Sequence, residues 1–234
     1  MESRFGLEIA CAAMARSPLF QGIEPDELTR IALTMTRRRY RRLEVIFHEG
    51  DPGDSLHIIV AGRVKITRQS LEGDEAIIVT LGTGESFGEV VLLDGAARSA
   101  TATAMEPTET IVLTRANFER LVDGGSPFRW SLLGGVAHRI RRLTDQLAEV
   151  HFLDIGGRLA LTLSRLAEEA APGVTADVRL ARPLTQTDLA AMVGGTRQRV
   201  NQILGELADE GLVAIDAGGI VVRDVPALRN RAGW

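Results

Sequence analysis

The stretch FGEVVLLDGAARSA, residues 87–100, carries one acid, Glu89, and one arginine, Arg98, within a short apolar run framed by glycines. The apolar run indicates that the chain turns inward here, and a charge that leaves water needs a partner. Gly88 lets the backbone approach a neighbour closely. If a short helical turn begins at residue 89, its free N–H groups form an anion site in front of it.

The side chains of this stretch suit a ribose phosphate. Arg98 offers a fork of donors that matches a phosphate, and Ser99 adds a hydroxyl. A carboxylate such as Glu89 is unsuited to phosphate but accepts a hydrogen bond from a sugar hydroxyl. The alternative is an internal Glu89–Arg98 salt bridge that closes the loop.

Short β-branched segments surround this stretch between residues 37 and 115. They include EVIFHEG, SLHIIVAG, RVKITRQ, EAIIVTLG and TATAMEPTETIVLT, with EGDPGD and LEGDE as turns. Regularly spaced short strands with turn signals predict an antiparallel barrel or sandwich. Before them, residues 7–33 predict short helices broken at Pro18 and Pro25. The basic run RRRYRR at 37–42 is interpreted as a solvated strand edge rather than a nucleic-acid patch.

A long helix is predicted after the strands. Its apolar residues recur at alternating spacings of three and four, which is the pattern of a heptad seam. A strict seam is narrower than the core face of an ordinary helix, so the pattern favours a dimer interface over packing against the chain's own strands. The seam residues are Leu133, Val136, Ile140, Leu143, Leu147 and Val150.

The segment TQTDLAAMVGGTRQRVNQIL in the last third of the chain predicts a helix-turn-helix. Gly194 and Gly195 permit the sharp turn, and Thr196 suits the N-cap of the second helix. The buried face of that helix is expected to carry Val200, Ile203 and Leu204. The polar residues off this face are Arg197, Gln198, Arg199, Asn201 and Gln202.

These polar residues predict DNA binding. A helix that enters the major groove presents its N-terminal residues to base edges, where arginine matches guanine and glutamine or asparagine matches adenine. The hairpin LVAIDAGGIVVRD, with Gly218 and Gly219 at its tip, follows as a wing. A plain solvated helical hairpin is the alternative, but the glycine turn, the polar cluster and the wing favour DNA.

Composition limits the class of protein. The chain has 234 residues, 45% of them hydrophobic, and a net charge of −4, so it can bury a core in one or two domains. It has no run of about 18 apolar residues and no signal-peptide pattern, which predicts a cytoplasmic protein without a membrane partner. No nucleophile–base pair or paired carboxylate stands out, so no catalytic residue is expected. A single cysteine and scattered histidines predict no disulfide, metal or haem site; they are Cys11, His48, His57, His138 and His151.

Taken together, these motifs resemble the bacterial transcription regulators of the cyclic AMP receptor protein/Fnr (Crp/Fnr) family. The resemblance runs from LFQGIEPDEL through IFHEGDPGDSLHIIVAGRVKI, residues 87–100, the seam helix and FLDIGGRLALTL to the winged helix. It implies an α+β chain in three parts: a jelly-roll-like β-roll that binds a cyclic nucleotide at 1–126, a dimerisation helix at 127–153, and a winged helix-turn-helix at 154–234.

The resemblance also implies roles for individual residues. Glu89 would bind the ribose 2′-hydroxyl, Arg98 and Ser99 the cyclic phosphate, and Arg139 would approach from the seam helix. The ligand-binding set that it implies is Gly88, Glu89, Val90, Val91, Arg98, Ser99, Arg139, Leu143 and Thr144. The DNA-binding set is Thr185, Gln186, Thr196, Arg197, Gln198, Arg199 and Gln202.

Two departures from the family pattern bear on specificity. Members that bind cyclic AMP read adenine with a Thr-Ser pair on the seam helix, and here those positions hold Leu143 and Thr144. Gln198 stands where such members have glutamate. Because glutamate accepts from cytosine and glutamine suits adenine, the operator is expected to differ there.

The expected function is therefore that of a ligand-responsive regulator that forms a homodimer through residues 133–150. It would bind a cyclic nucleotide, expected to be cyclic AMP, and a near-palindromic operator in double-stranded DNA, since a two-fold protein matches two-fold DNA. The resemblance implies RNA polymerase as a further partner. The alternatives are a family member that does not depend on cyclic AMP and a nucleotide-binding regulatory module of an enzyme.

Overall fold

The structure is a computed structural model that describes residues 2–70, 72–73, 75–124, 126–180, 185–216 and 218–233. It divides the chain into two compact units, residues 1–142 and 143–234. The predicted domain boundaries at 126/127 and 153/154 stay a prediction. No helix in the described ranges is long and apolar enough to cross a lipid bilayer.

The N-terminal unit begins with the short helical segments that the sequence predicts. Pro18 and Pro25 each open one of them, because proline lacks the N–H that a first helical turn leaves without a partner. The segments are helix α1 (Glu2–Arg16), a 3₁₀ turn (Pro18–Phe20) and helix α2 (Pro25–Ala32).

Two antiparallel four-stranded sheets follow and confirm the predicted β-roll. The first has the order β1-β8-β3-β6 and the second the order β2-β7-β4-β5. The strands are β1 (Thr36–Tyr40), β2 (Val45–Phe47), β3 (Ser55–Ala61), β4 (Val64–Gln69), β5 (Glu75–Leu81), β6 (Ser86–Phe87), β7 (Thr101–Ala104) and β8 (Thr108–Thr114).

The basic run at 37–42 falls on and after β1, an edge strand whose residues are mostly exposed. Arg37 and Arg39 both bond the carboxylate of Glu109 on β8. This is the solvated strand edge that the sequence predicts. Charges on an edge strand also hinder pairing with another chain.

Strand β3 contributes to two cores because successive side chains of a strand point to opposite faces. Leu56 and Ile58 pack with the N-terminal helices and with Phe128. Ile59 packs with Phe87 and other residues of the two sheets. The strand is buried along its middle, which fixes its register and the position of Ser55 at its start.

Three further helices belong wholly or partly to this unit. The predicted turn after Glu89 is a helix of one and a half turns that ends at Gly95, whose φ of 71° lies in the left-handed region. The long helix carries Phe128 and Leu132 into the core of the unit. The helices are α3 (Val90–Asp94), α4 (Arg115–Gly124) and α5 (Ser126–Phe152).

The C-terminal unit is the winged helix-turn-helix that the sequence predicts. Helices α7 and α8 form the helical pair, and β10 and β11 form the wing in a three-stranded sheet with the order β10-β11-β9. Its elements are α6 (Ile155–Ala170), β9 (Ala176–Arg179), α7 (Gln186–Val193), α8 (Arg197–Asp209), β10 (Val213–Asp216), β11 (Gly219–Asp224) and α9 (Val225–Ala232).

Candidate functional site

Arg98 is a buried cation that the backbone holds by its end. Arg98 is 6% exposed, and its Nη1 donates to the carbonyl oxygens of Ser55 and Gly88, both at 2.8 Å. Its Nη2 donates to Oγ of Ser55 at 3.1 Å. Its Nε has no hydrogen-bond partner among the described residues. A buried donor without a partner is costly, so this side of the guanidinium is suited to an acceptor that arrives from outside.

The sequence reasoning missed the residues that enclose Arg98. The Phe47 ring lies 4.1 Å from Cζ of Arg98, a cation–π contact. A Cβ at Gly53 would come within 2.6 Å of Nε, so a larger residue there would push against the guanidinium. The segment EGDPGDSLHI gives one signal: Ser55 and His57 interrupt the apolar alternation of β3.

Glu89 is paired with Arg139 and not with Arg98. The Glu89 side chain is 4% exposed and forms an ion pair with Nη1 of Arg139 on α5. Its Oε2 has no partner among the described residues. The predicted alternative, a Glu89–Arg98 salt bridge, is therefore wrong, since each charge has its own contacts and its own unpartnered atom.

Burial dominates the electrostatics of this region. It lowers the pKa of the Arg98 guanidinium, and the carboxylates of Asp54 and Asp51 act against that change. It also lowers the pKa of the Arg139 guanidinium, with the charge of Arg142 acting in the same direction. A buried cation that is hydrogen-bonded mainly to neutral oxygens attracts an anion strongly, because screening by water is weak there.

The remaining predicted ligand residues fall into three positions. Val91 is buried and Val90 is exposed in the first turn of α3, whose leading N–H groups lack intrahelical acceptors. Ser99 follows Arg98 and is exposed. Leu143 and Thr144 lie on α5 about one turn after Arg139, at the start of the C-terminal unit, and both are exposed.

Helix α8, which is predicted to enter the major groove, has the N-cap and the buried face that the sequence predicts. Gly194 is left-handed at the end of α7, with φ of 67°, and Oγ1 of Thr196 accepts from the N–H of Arg199 at the start of α8. Val200 and Ile203 are buried in the core of the unit. The five polar residues predicted to lie off this face are all exposed: Arg197, Gln198, Arg199, Asn201 and Gln202.

Hydrogen bonds orient part of this polar surface before any partner binds. The side chain of Gln186 at the start of α7 donates to Oδ1 of Asn201 at 2.7 Å. Its Oε1 accepts from Nε of Arg197 at 3.5 Å. The terminal Nη groups of Arg197 are not used in this contact. Thr185 caps α7 through a reciprocal bond with Asp188 and thereby fixes the start of that helix.

Glu206 on α8 is a further residue that the sequence reasoning missed. Its Oε1 accepts from Nε2 of Gln202 at 2.9 Å and lies 4.0 Å from Nη1 of Arg199. One carboxylate therefore engages two of the predicted DNA-binding residues. Its place one turn beyond Gln202 on α8 was the available signal.

Comparisons with known proteins agree with both units. A family model for the cyclic nucleotide-binding domain matches residues 37–124, and one for the Crp-like helix-turn-helix domain matches residues 157–231. The CRP-like cAMP-activated global transcriptional regulator of Mycobacterium tuberculosis is 30% identical over 219 residues, 94% of this chain and 98% of that protein. The cyclic AMP receptor protein of Thermus thermophilus is 33% identical over 94% of this chain and 98% of its own.

A solved structure shows the same fold. FixK2 from Bradyrhizobium japonicum has a TM-score of 0.74 at 23% identity, over 84% of this chain and 96% of that one. Fold and matches define a DNA-binding transcription regulator with a cyclic nucleotide-binding domain, and the alternative of an enzyme module does not fit them. The chain belongs to the Crp/Fnr family of transcription regulators.

Proposed function

We propose that this regulator binds cyclic AMP in its N-terminal unit and, as a homodimer, a near-palindromic operator through α8, with RNA polymerase as a further partner. The observation that carries the ligand half is the pair of buried atoms without partners, Nε of Arg98 and Oε2 of Glu89. A donor on a cation and an acceptor on a carboxylate are what a phosphate and a ribose hydroxyl require. The names of the relatives support cyclic AMP as the nucleotide.

An apolar stripe on α5 supports the homodimer. Five of the six predicted seam residues are exposed, and Val136 is partly buried. Leucine and isoleucine side chains left in water along one helix face favour pairing with a second copy of the same face. The exposed seam residues are Leu133, Ile140, Leu143, Leu147 and Val150.

The arrangement of α8 supports direct reading of DNA. Arg197 presents a fork, Gln198 is exposed beside it, and Arg199 is close enough to the helix start to reach a phosphate or a base. Thr185, Gln186 and Thr196 lie at the N-termini of α7 and α8, where N–H groups favour phosphate. The chain is therefore proposed to bind the major groove with α8 and the DNA backbone with the helix starts.

Calorimetry with cyclic AMP, cyclic GMP and 5′-AMP tests the ligand. Cyclic AMP should bind most tightly, and Arg98→Leu should reduce its affinity by about ten- to a hundredfold, since a charge-assisted contact is worth roughly 1.5–3 kcal/mol. The control is Arg68→Leu, which removes an exposed arginine of the same unit that pairs with Glu49. Equal binding of cyclic AMP to wild type and Arg98→Leu would show that this site is not used.

One observation favours a second form of the function, a regulator that binds its operator without cyclic AMP. Leu143 stands where the cyclic-AMP-binding members of the family place a hydroxyl for adenine, and its side chain is exposed on the apolar stripe. It can strengthen the dimer but cannot hydrogen-bond a base. Titration of operator DNA with the ligand-free protein distinguishes the two forms.

A further inference from the structure

The guanidinium of Arg98 is held by one of its two edges, and the other edge carries a buried N–H donor without a partner among the described residues. An arginine has five N–H donors, which form an end edge of Nη1 and Nη2 and a side edge of Nε and Nη2. Ser55 occupies the end edge, since its carbonyl oxygen accepts from Nη1 at 2.8 Å and its Oγ accepts from Nη2 at 3.1 Å. Nε, on the side edge, has no partner among the described residues.

The side edge is the one that can take a bidentate anion. Two parallel N–H groups of a guanidinium match two oxygens of a phosphate, so the edge that stays open decides where the phosphate lies. Gly53 lies against this edge, and a Cβ there would come within 2.6 Å of Nε, so a larger residue would displace the guanidinium. The Phe47 ring at 4.1 Å from Cζ restrains the plane of the guanidinium.

Ser55 is itself held by a chain of polar contacts inside the sheet. Its Oγ lies 3.5 Å from Nε2 of His57, and Nδ1 of His57 lies 3.4 Å from Oγ1 of Thr110. Ser55 Oγ accepts from Arg98, and in the His57 tautomer that carries its proton on Nδ1, the Ser55 hydroxyl donates to Nε2 while Nδ1–H donates to Thr110. The His57 ring stacks on Phe87 with centroids 5.0 Å apart, so packing fixes its orientation.

His57 is suited to this acceptor role. Burial, followed by the charge of Arg98, lowers the pKa of its imidazole from 6.5 to about 3. The ring is therefore neutral near pH 7, and one of its nitrogens can accept from the Ser55 hydroxyl.

We propose that Ser55, backed by His57, is a positioning residue of the anion site that holds Arg98 by its end edge so that the side edge meets the ligand phosphate. This rests on the proposed function, in which a cyclic nucleotide binds in this unit. Without the Ser55 hydroxyl, Nη2 would lose its acceptor on the end edge, and the guanidinium could turn that donor toward the ligand. The site would keep the charge of Arg98, but the orientation of the guanidinium would no longer be fixed.

The test compares three proteins with three ligands. The proteins are wild type, Ser55→Ala and Ser55→Thr, and the ligands are cyclic AMP and its Sp and Rp phosphorothioates. Each phosphorothioate replaces a different exocyclic phosphate oxygen with sulfur, which is a weaker acceptor. A fixed Arg98 edge meets the two diastereomers differently, whereas a general loss of structure weakens both alike.

We expect wild type to bind the two diastereomers with clearly different affinities. Ser55→Ala should bind cyclic AMP about tenfold more weakly, the equivalent of one hydrogen bond to a charged group, and its Sp/Rp affinity ratio should move toward one. Ser55→Thr keeps the hydroxyl and should restore both values. Thermal unfolding of each variant verifies that the unit is folded under the titration conditions.

Two results would overturn the positioning role. One is a Ser55→Ala protein with wild-type affinity and wild-type Sp/Rp ratio. The other is a loss of affinity in Ser55→Ala that is equal for both diastereomers, which would make Ser55 a purely structural residue. A wild type that binds none of the three nucleotides would instead overturn the proposed function, and the positioning role with it.

Discussion

The carboxylate of Glu89 and the guanidinium of Arg139 form an ion pair that joins the residue before α3 to the middle of α5. One carboxylate oxygen binds Arg139, and Oε2 has no partner among the described residues. A ribose hydroxyl can therefore donate to Glu89 while the ion pair stays intact. Because α5 also carries the apolar stripe, a ligand that bound Glu89 as proposed would contact, through this pair, the helix that is proposed to dimerise. A ligand shifts a dimer equilibrium only if it interacts differently with the two arrangements.

The first prediction concerns the energy of that ion pair. Glu89→Gln should lower the free energy of unfolding of the N-terminal unit by about 1–3 kcal/mol, because it leaves the partly buried Arg139 without its charged acceptor. Arg139→Gln should cost less in the Glu89→Gln background than in wild type. Urea unfolding of the four proteins gives the coupling free energy directly. Additive losses would mean that the two side chains do not stabilise each other.

The second prediction concerns base reading by α8. Arg197→Ala should cost roughly 1–3 kcal/mol of operator affinity and relax the preference at one base pair per half-site. Gln198→Glu should shift the preference toward cytosine at the position that Gln198 reads. Selection from random duplexes checks both, with Arg231→Ala on α9 as a control that removes an arginine paired with Glu210. An unchanged motif in all variants would contradict this register of α8.

The third prediction concerns Glu206, whose carboxylate engages Gln202 and Arg199. Glu206→Leu removes this acceptor, so both side chains become available to DNA. We expect tighter operator binding, a salt dependence that is steeper by about one phosphate contact, and a changed base preference opposite Gln202. Asp209→Leu removes one negative charge further along α8 and should strengthen binding without changing base preference. The same change in base preference for both variants would assign the effect to net charge alone.

The fourth prediction concerns acid stability. The pKa of His57 is lowered from 6.5 to about 3, chiefly by burial. Below pH 6.5 the unfolded chain binds a proton that the folded unit does not bind until the pH nears 3, so this residue reduces stability as the pH falls. From this one group, the free energy of unfolding changes by up to about 1.4 kcal/mol per pH unit.

Unfolding of His57→Gln between pH 7 and pH 4 isolates that contribution. The variant should lose less stability over this range than wild type does, even if it is less stable at pH 7. His138→Gln, at an exposed position on α5, is the control for the loss of a histidine. If the stability of wild type and of His57→Gln changed equally with pH, His57 would bind its proton at the same pH in the folded unit as in the unfolded chain.

The local order of the chain was predictable from the sequence, and the partners of its charges were not. The burial of Val200 and Ile203 follows from a helical period that is visible in a short window. The partners of Glu89 and Arg98 have no such signal. Arg98 meets Ser55 from a strand 43 residues earlier, and Glu89 meets Arg139 from a later helix. Tertiary folding brings these groups together, so the choice between an internal salt bridge and two separate contacts depended on the structure.

The last prediction concerns Leu143, which is 50% exposed on the apolar stripe of α5. In a dimer Leu143 should be buried against Leu143 of the second protomer. Full burial of a leucine is worth about 1.5–3 kcal/mol, so burial of the exposed half contributes about 1 kcal/mol per protomer. The ligand-free protein should therefore already be dimeric and should bind its operator measurably. Cyclic AMP should change that affinity by less than about 1–3 kcal/mol of coupling, the usual range for allosteric effectors.

Leu143→Thr separates dimer stability from ligand response. The substitution should weaken the ligand-free dimer, measured by analytical ultracentrifugation, and should enlarge the effect of cyclic AMP on operator binding, since it returns a hydroxyl to the position where cyclic-AMP-binding members of the family read adenine. Leu147→Thr is the matched control, because Leu147 lies one turn further along the same stripe and is 65% exposed. It should weaken the dimer to a similar degree and leave the ligand response unchanged. Fluorescence anisotropy at fixed salt, at protein concentrations where each variant is dimeric, gives the two responses. Two results would contradict this role of Leu143 in stabilising a DNA-binding dimer without ligand. One is a wild type that binds no DNA until cyclic AMP is added. The other is an equal increase, in both threonine variants, of the effect of cyclic AMP on operator binding.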